Sequence, residues 1–117
     1  MPYVDGFVIA VPKRNLATYR RISRKAGRIW REHGALEYRE CVGDDLAIRF
    51  GLPFPRLARL RPGETVVFSW IVYKSRAQRD RINKKVMADP RLKMDKTEMP
   101  FDVKRMSWGG FKTIVDL

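Results

Sequence analysis

From Tyr3 to Val11 nearly every position is apolar, with Val, Ile and Phe prominent, and the run stops at Pro12. This predicts a β-strand that ends where proline removes a ladder donor. From Asn15 the apolar period lengthens to about 3.6: Leu16, Tyr19, Ile22, Ala26, Ile29, Trp30 and His33 share a stripe with Arg and Lys elsewhere, which predicts a helix stopped by Gly34. Leu36 to Val42 returns to a period of two, with Leu36, Tyr38, Glu40 and Val42 on one side and Glu37, Arg39 and Cys41 on the other. Val66 to Tyr73 is almost wholly apolar and is the strongest strand signal. Ser75-Arg76-Ala77-Gln78 has the form of a capping box opening a second helix, whose thin apolar side is Ala77, Ile82, Val86 and Met87 and which Asp89-Pro90 terminates. Lys104 to Leu117 reads as the last strand, with Gly109-Gly110 marking a bulge or a close backbone approach.

The resulting order βαββαβ predicts an α+β, ferredoxin-like fold: a four-stranded antiparallel sheet with two helices on one face. The first and third strands are apolar on both sides, so one apolar sheet face is left uncovered. A soluble monomer rarely exposes such a patch, and a second copy covers it. The expectation is a C2 homodimer with the sheets meeting, a dimeric α/β barrel. The stretch from Gly43 to Gly63 is too long for a hairpin connection. Phe54, Leu57 and Leu60, at three-residue spacing beside Pro53 and Pro55, predict one short helical turn within it, as part of an arm, a lid or a solvent-facing excursion. The loop from Asp89 to Asp102 is open to the same readings.

Length and composition bound the function. The 117 residues suit one domain, and 44% hydrophobic with 32% charged residues is a folded rather than a disordered composition. No apolar run approaches the roughly 20 residues of a membrane span. The N-terminal residues do not resemble a signal peptide and the single Cys41 forms no intramolecular disulfide, so cytoplasmic residence is expected. The formal charge of +12 would draw a small anionic ligand or nucleic acid. Its basic residues are spread widely, which reads first as a solvated surface, but two clusters stand out. Lys13 to Arg31 holds eight basic residues and no acid, and Lys74 to Lys85 holds six with only Asp80 opposing. The glycine-and-aromatic signature of RNA-recognition domains is missing from Val66 to Tyr73, so nucleic-acid binding would be a sequence-independent effect of the basic helices.

The only histidine and the only cysteine fall within Trp30 to Cys41. His33 is a candidate general base with Glu40 or Asp5 to orient it; its alternative role is to cap a helix C-terminus. Cys41 reads as a small buried hydrophobe. Asp5 stands in an otherwise apolar strand, either as a hydrogen-bonded structural carboxylate or as a pocket carboxylate. Asp44-Asp45 reads as a turn, Gly109-Gly110 is no phosphate loop, and neither a metal nor a cofactor is expected. His33 and Asp5 are therefore the candidate catalytic or binding markers, with Tyr38, Glu40, Trp70 and Trp108 as candidate lining residues.

Six collinear segments carry a more specific signal: Tyr3-Val4-Asp5-Gly6-Phe7-Val8, Trp30 to Cys41, Glu64 to Arg76, Asp89-Pro90-Arg91, Met99-Pro100-Phe101-Asp102, and Lys104-Arg105-Met106 through Gly109-Gly110-Phe111. Together they resemble the YbaA-like family of uncharacterised bacterial proteins nearly end to end. The resemblance implies a dimeric α/β barrel of the ferredoxin-like class and no established activity. Dimeric α/β barrels include cofactor-free oxygenases, isomerases and haem proteins, so by fold analogy alone a small-molecule pocket is expected without a named reaction.

Overall fold

A computed structural model describes residues 1–93 and 99–117. Strand β1 (Tyr3–Pro12) leads through a 3-10 turn into helix α1 (Leu16–Glu32), followed by β2 (Glu37–Val42), the one-turn helix α2 (Phe54–Leu57), β3 (Glu64–Tyr73), α3 (Arg76–Met87) and β4 (Ser107–Lys112). The strands pair antiparallel in the order β2-β3-β1-β4, the split-βαβ arrangement expected from the hydrophobic pattern. Among the described residues no helix is long and apolar enough to cross a membrane.

Register decides which side chains meet the helices. Phe7 pairs with Ser69 and Trp108, Ile9 with Val67, Asp5 with Ile71 and Gly110, and Tyr38 and Glu40 of β2 lie opposite Ile71 and Ser69. These positions share the face toward α1 and α3, because side chains alternate along every strand. The core on that face forms two clusters. Ile29, Ala35, Ile71, Tyr73, Ile82 and Val86 make one, Ile9, Val11, Tyr19 and Val67 make the other, and Phe7 packs against both.

Val4, Gly6, Val8, Phe68, Trp70, Gly109 and Phe111 lie on the opposite face and line a shallow apolar depression. Phe68 and Phe111 are exposed there. The 43–63 excursion brings α2 over one end of this face. Phe54 of α2 packs edge-on against Phe68 at 5.9 Å, and Leu46 comes so close to Gly43 that a Cβ there would collide with it and crowd Val66. Val66 and Ala10 are buried although they point away from the long helices.

Several expectations need correction. The last strand is shorter than Lys104–Leu117. Asp102 caps a 3-10 turn over Val103–Arg105 by accepting from the Lys104 amide at 3.1 Å, and β4 stops at Lys112 opposite Tyr3, where β1 begins and the ladder runs out. Cys41 is exposed on the edge strand β2 rather than buried. His33 is not on the buried stripe: α1 ends at Glu32, His33 is its C-cap, and Gly34 turns the chain at φ +115°. The stripe instead buries Ser23 and Gly27, and a Cβ on Gly27 would sit under 3.0 Å from the Tyr38 ring. The capping box is shifted by one residue on one side. Ser75 Oγ accepts from the Gln78 amide at 3.1 Å, while Gln78 Oε1 accepts from Lys74 N at 2.6 Å instead of from Ser75. Gly109-Gly110 makes no bulge, since β4 pairs continuously with β1; it allows a close approach, with Arg79 Nη2 2.8 Å from where a Gly110 Cβ would lie and Tyr3 Oη closer still.

Candidate functional site

Between the two core clusters the helix-facing side of the sheet leaves a cavity of about 530 Å³, within the range of about 300–1,000 Å³ common for small-molecule sites. The sheet supplies Phe7, Ile9, Ser69 and Ile71 as its floor. Ile22, Ala26 and Trp30 of α1 and Met87 at the end of α3 form its walls, and Met99, Phe101, Met106 and Trp108 close one side. The lining is mostly apolar and aromatic. Phe7 and Trp108 stack at 6.0 Å, and Trp30 and Tyr38 meet at 6.1 Å.

Two polar clusters reach this cavity. The first centres on Asp5, which is 1% exposed. Arg79 grips it: Nε donates to Oδ1 at 2.9 Å and to Oδ2 at 3.2 Å, and Nη2 lies 2.9 Å from Oδ1. The Tyr73 hydroxyl donates to Oδ2 at 2.9 Å, and Asn83 Nδ2 donates to the same oxygen at 3.3 Å. Trp30 Nε1 fixes the Asn83 amide by donating to Oδ1 at 3.0 Å. Arg79 also stacks over the Tyr3 ring at 5.4 Å. The Asp5 carboxylate raises the Arg79 pKa, and burial followed by the Asp5 charge raises that of Tyr73. Both therefore stay protonated, and the Asp5 charge is fully answered from within the fold.

The second cluster centres on Glu40. Its carboxylate accepts from the Tyr19 hydroxyl at 2.8 Å, from the Tyr38 hydroxyl at 3.1 Å and from Ser23 Oγ, which also lies 2.9 Å from Tyr38 Oη. Burial first, and the Glu40 charge second, push both tyrosines well above the ordinary phenol range. They are donors at neutral pH, and the Glu40 carboxylate accepts from both. Among the described residues Glu40 takes part in no ion pair.

Asp5, Tyr38, Glu40, Trp70 and Trp108 all border the cavity, whereas His33 does not. Trp70 is held at the far side of the sheet, where its Nε1 donates to Glu37 at 2.9 Å. His33 Nε2 lies 3.1 Å from Asp89, so neither Glu40 nor Asp5 orients it. The Asp89 carboxyl is drawn far below its usual range, chiefly by the Arg91 side chain and also by His33. This cluster ties the C-terminus of α1 to the end of α3, a helix-capping role. Sequence reasoning missed Tyr19, Ser23, Tyr73, Arg79, Asn83 and Asp89. The available signals were a serine one turn after Tyr19 in an apolar stripe, and Arg79 and Asn83 four apart on a helix whose apolar side was too thin.

Residues 2–103 match the family model described as "Protein of unknown function (DUF1428)". The chain belongs to this family. It is 45% identical over 116 residues, 99% of each chain, to "Uncharacterized protein YbaA" of Escherichia coli strain K12, and equally to the YbaA of Shigella flexneri. The YbaA-like resemblance read from the six segments is thereby established, and no activity comes with it. Two solved structures share the fold at low identity. The "dimeric ferredoxin-like protein" from an uncultured marine organism superposes with a TM-score of 0.61 at 11% identity over all of both chains. Rv0793 from Mycobacterium tuberculosis gives 0.58 at 12% identity, covering 99% of this chain and 98% of that one.

Proposed function

We propose that this protein binds, and through Glu40 is equipped to act as a base on, a small molecule held between its sheet and its helices. The observation that carries the reading is the cavity itself: about 530 Å³, largely apolar, with a carboxylate and three hydroxyls converging at one wall. The whole-molecule charge that suggested an anionic ligand sits on the surface; the acidic groups, Asp5 and Glu40, are at the cavity. The working unit in this reading is a homodimer formed through the open sheet face. Support comes from the exposed Phe68 and Phe111 on that face and from a similar fold whose described state is dimeric.

Native mass spectrometry of protein purified from its own host tests both parts. The expected species is twice the 13.7 kDa chain mass with a small retained adduct. Phe68→Lys, a change at an exposed position, should convert it to monomer because the dimer would bury an unpaired charge. A wild-type monomer at micromolar concentration contradicts the dimer. Empty protein that also binds no member of a small-molecule fragment set contradicts the site.

A second reading draws on α1, whose solvent side presents Arg20, Arg21, Arg24, Lys25, Arg28 and Arg31, all exposed. Such a row suits the phosphates of RNA without regard to sequence. Its mark would be an affinity that falls steeply with salt and is lost when these arginines are neutralised.

A further inference from the structure

We propose that the cavity selects a ligand with an apolar or aromatic body and a cationic, hydrogen-bond-donating head, an amine in the simplest case, and that the head docks on Glu40. The inference rests on the cavity being a binding site and assigns the chemistry of what enters it.

The two carboxylates at the cavity differ in what remains for a ligand to supply. Asp5 already holds Arg79 through both oxygens and accepts from Tyr73 and Asn83 as well. A second cation there would have to displace the first. Glu40 is surrounded by neutral hydroxyls, which solvate its charge without cancelling it. A half-buried carboxylate against an apolar cavity attracts a cation more strongly than it would in water.

The neighbouring arginines leave this vacancy in place. Arg39 also borders the cavity but turns to Glu37 at 3.5 Å. Arg20 and Arg24 are exposed and line a groove on the outer side of Glu40. The aromatic walls favour the same guest, since the faces of Trp30, Tyr38 and Trp108 attract cations as well as flat apolar groups. Inside the cavity an anion would meet the Glu40 carboxylate, since Arg20 and Arg24 lie on the groove side and Arg39 is turned to Glu37.

The test is a calorimetric titration of the wild type with three near-isosteric probes: 2-phenylethylamine, 2-phenylethanol and 3-phenylpropanoate. The methyl resonances of Met87, Met99 and Met106, all at the cavity, report that each probe enters it. The amine should bind about tenfold tighter than the alcohol, with the carboxylate weakest, as expected for one hydrogen bond to a charged group. Glu40→Gln should erase the amine's advantage and keep the affinity for the alcohol. An amine no tighter than the alcohol, or a carboxylate that binds best, overturns the ligand class while the cavity stands as a site. Binding of none of the three overturns both. The wild-type ranking decides by itself if Glu40→Gln does not fold.

Discussion

Asp5 and Glu40 lie on the same face of the same sheet and border the same cavity, and both accept hydrogen bonds from tyrosine, yet their environments oppose each other. Asp5 is buried on the central strand β1, and the fold answers it with a bidentate arginine. Glu40 is on the edge strand β2, half-buried, and the fold answers it only with hydroxyls. A carboxylate in the middle of a sheet must be neutralised for the chain to fold, whereas one at the margin keeps enough solvent to go unpaired. Position in the sheet thus separates a carboxylate that holds the scaffold from one left available for chemistry.

The largest expected effect comes from breaking the compensated side. Arg79→Ala strands the Asp5 charge in the core and should cost about 3–5 kcal/mol in urea unfolding. A loss below 1 kcal/mol would mean that Asp5 finds water or another partner and that the two carboxylates are alike.

A third carboxylate shows what an arginine clamp does away from the core. Glu64, at the start of β3, accepts from Arg105 Nη1 at 2.7 Å and Nη2 at 2.9 Å and from the Arg61 amide at 2.7 Å, and its pKa is lowered to about 2, chiefly by the Arg105 hydrogen bonds. The folded state therefore binds this proton less readily than the unfolded chain. The stabilisation, about 2 kcal/mol for hydrogen bonds to a charged group, is complete above the unfolded value of 4.5 and vanishes as pH falls toward about 2. The difference between wild type and Glu64→Gln, followed by unfolding across that range, should close at its acid end. A constant difference would remove the clamp from the account.

Gly110→Ala probes the backbone that makes room for the Asp5 cluster. The new Cβ would press on the tip of Arg79 and on Tyr3, and Arg79 is locked by Asp5, so a loss of about 1–3 kcal/mol is expected from overpacking. Gly109→Ala, with open space around its Cβ, should fall well below that in the same assay.

The fold was legible because its signals are repeated. The apolar run Val66–Tyr73, period two in Leu36–Val42, period 3.6 from Leu16 to Ile29 and the stop at Gly34 each agree with the same βαββαβ order. The end of β4 was not legible, because it is set by where β1 begins in the paired register rather than by anything in Thr113–Leu117. For the site, sequence pointed to Asp5, Tyr38, Glu40 and Trp108 through the oddity of polar or bulky residues in apolar strands. It could not show that Arg79 belongs to Asp5, 74 positions away, or that His33 belongs to Asp89. A single residue's scarcity, as for His33, says nothing of its partners. The positive charge was read for the surface, where the α1 arginines lie exposed, whereas the lining of the cavity brings in two carboxylates that the charge count did not locate.

The comparison is tested most directly by side-by-side urea unfolding of Asp5→Asn and Glu40→Gln. Asp5→Asn should lose about 3 kcal/mol or more, because it breaks the buried end of the pair with Arg79, which keeps only the exposed Asp80, and upsets the acceptor that Tyr73 and Asn83 share. Glu40→Gln should lose about 1 kcal/mol at most, since the amide fits the same space and the surrounding hydroxyls can turn to accept from it. Equal losses of several kcal/mol in the two variants would contradict the account and make Glu40 part of the scaffold.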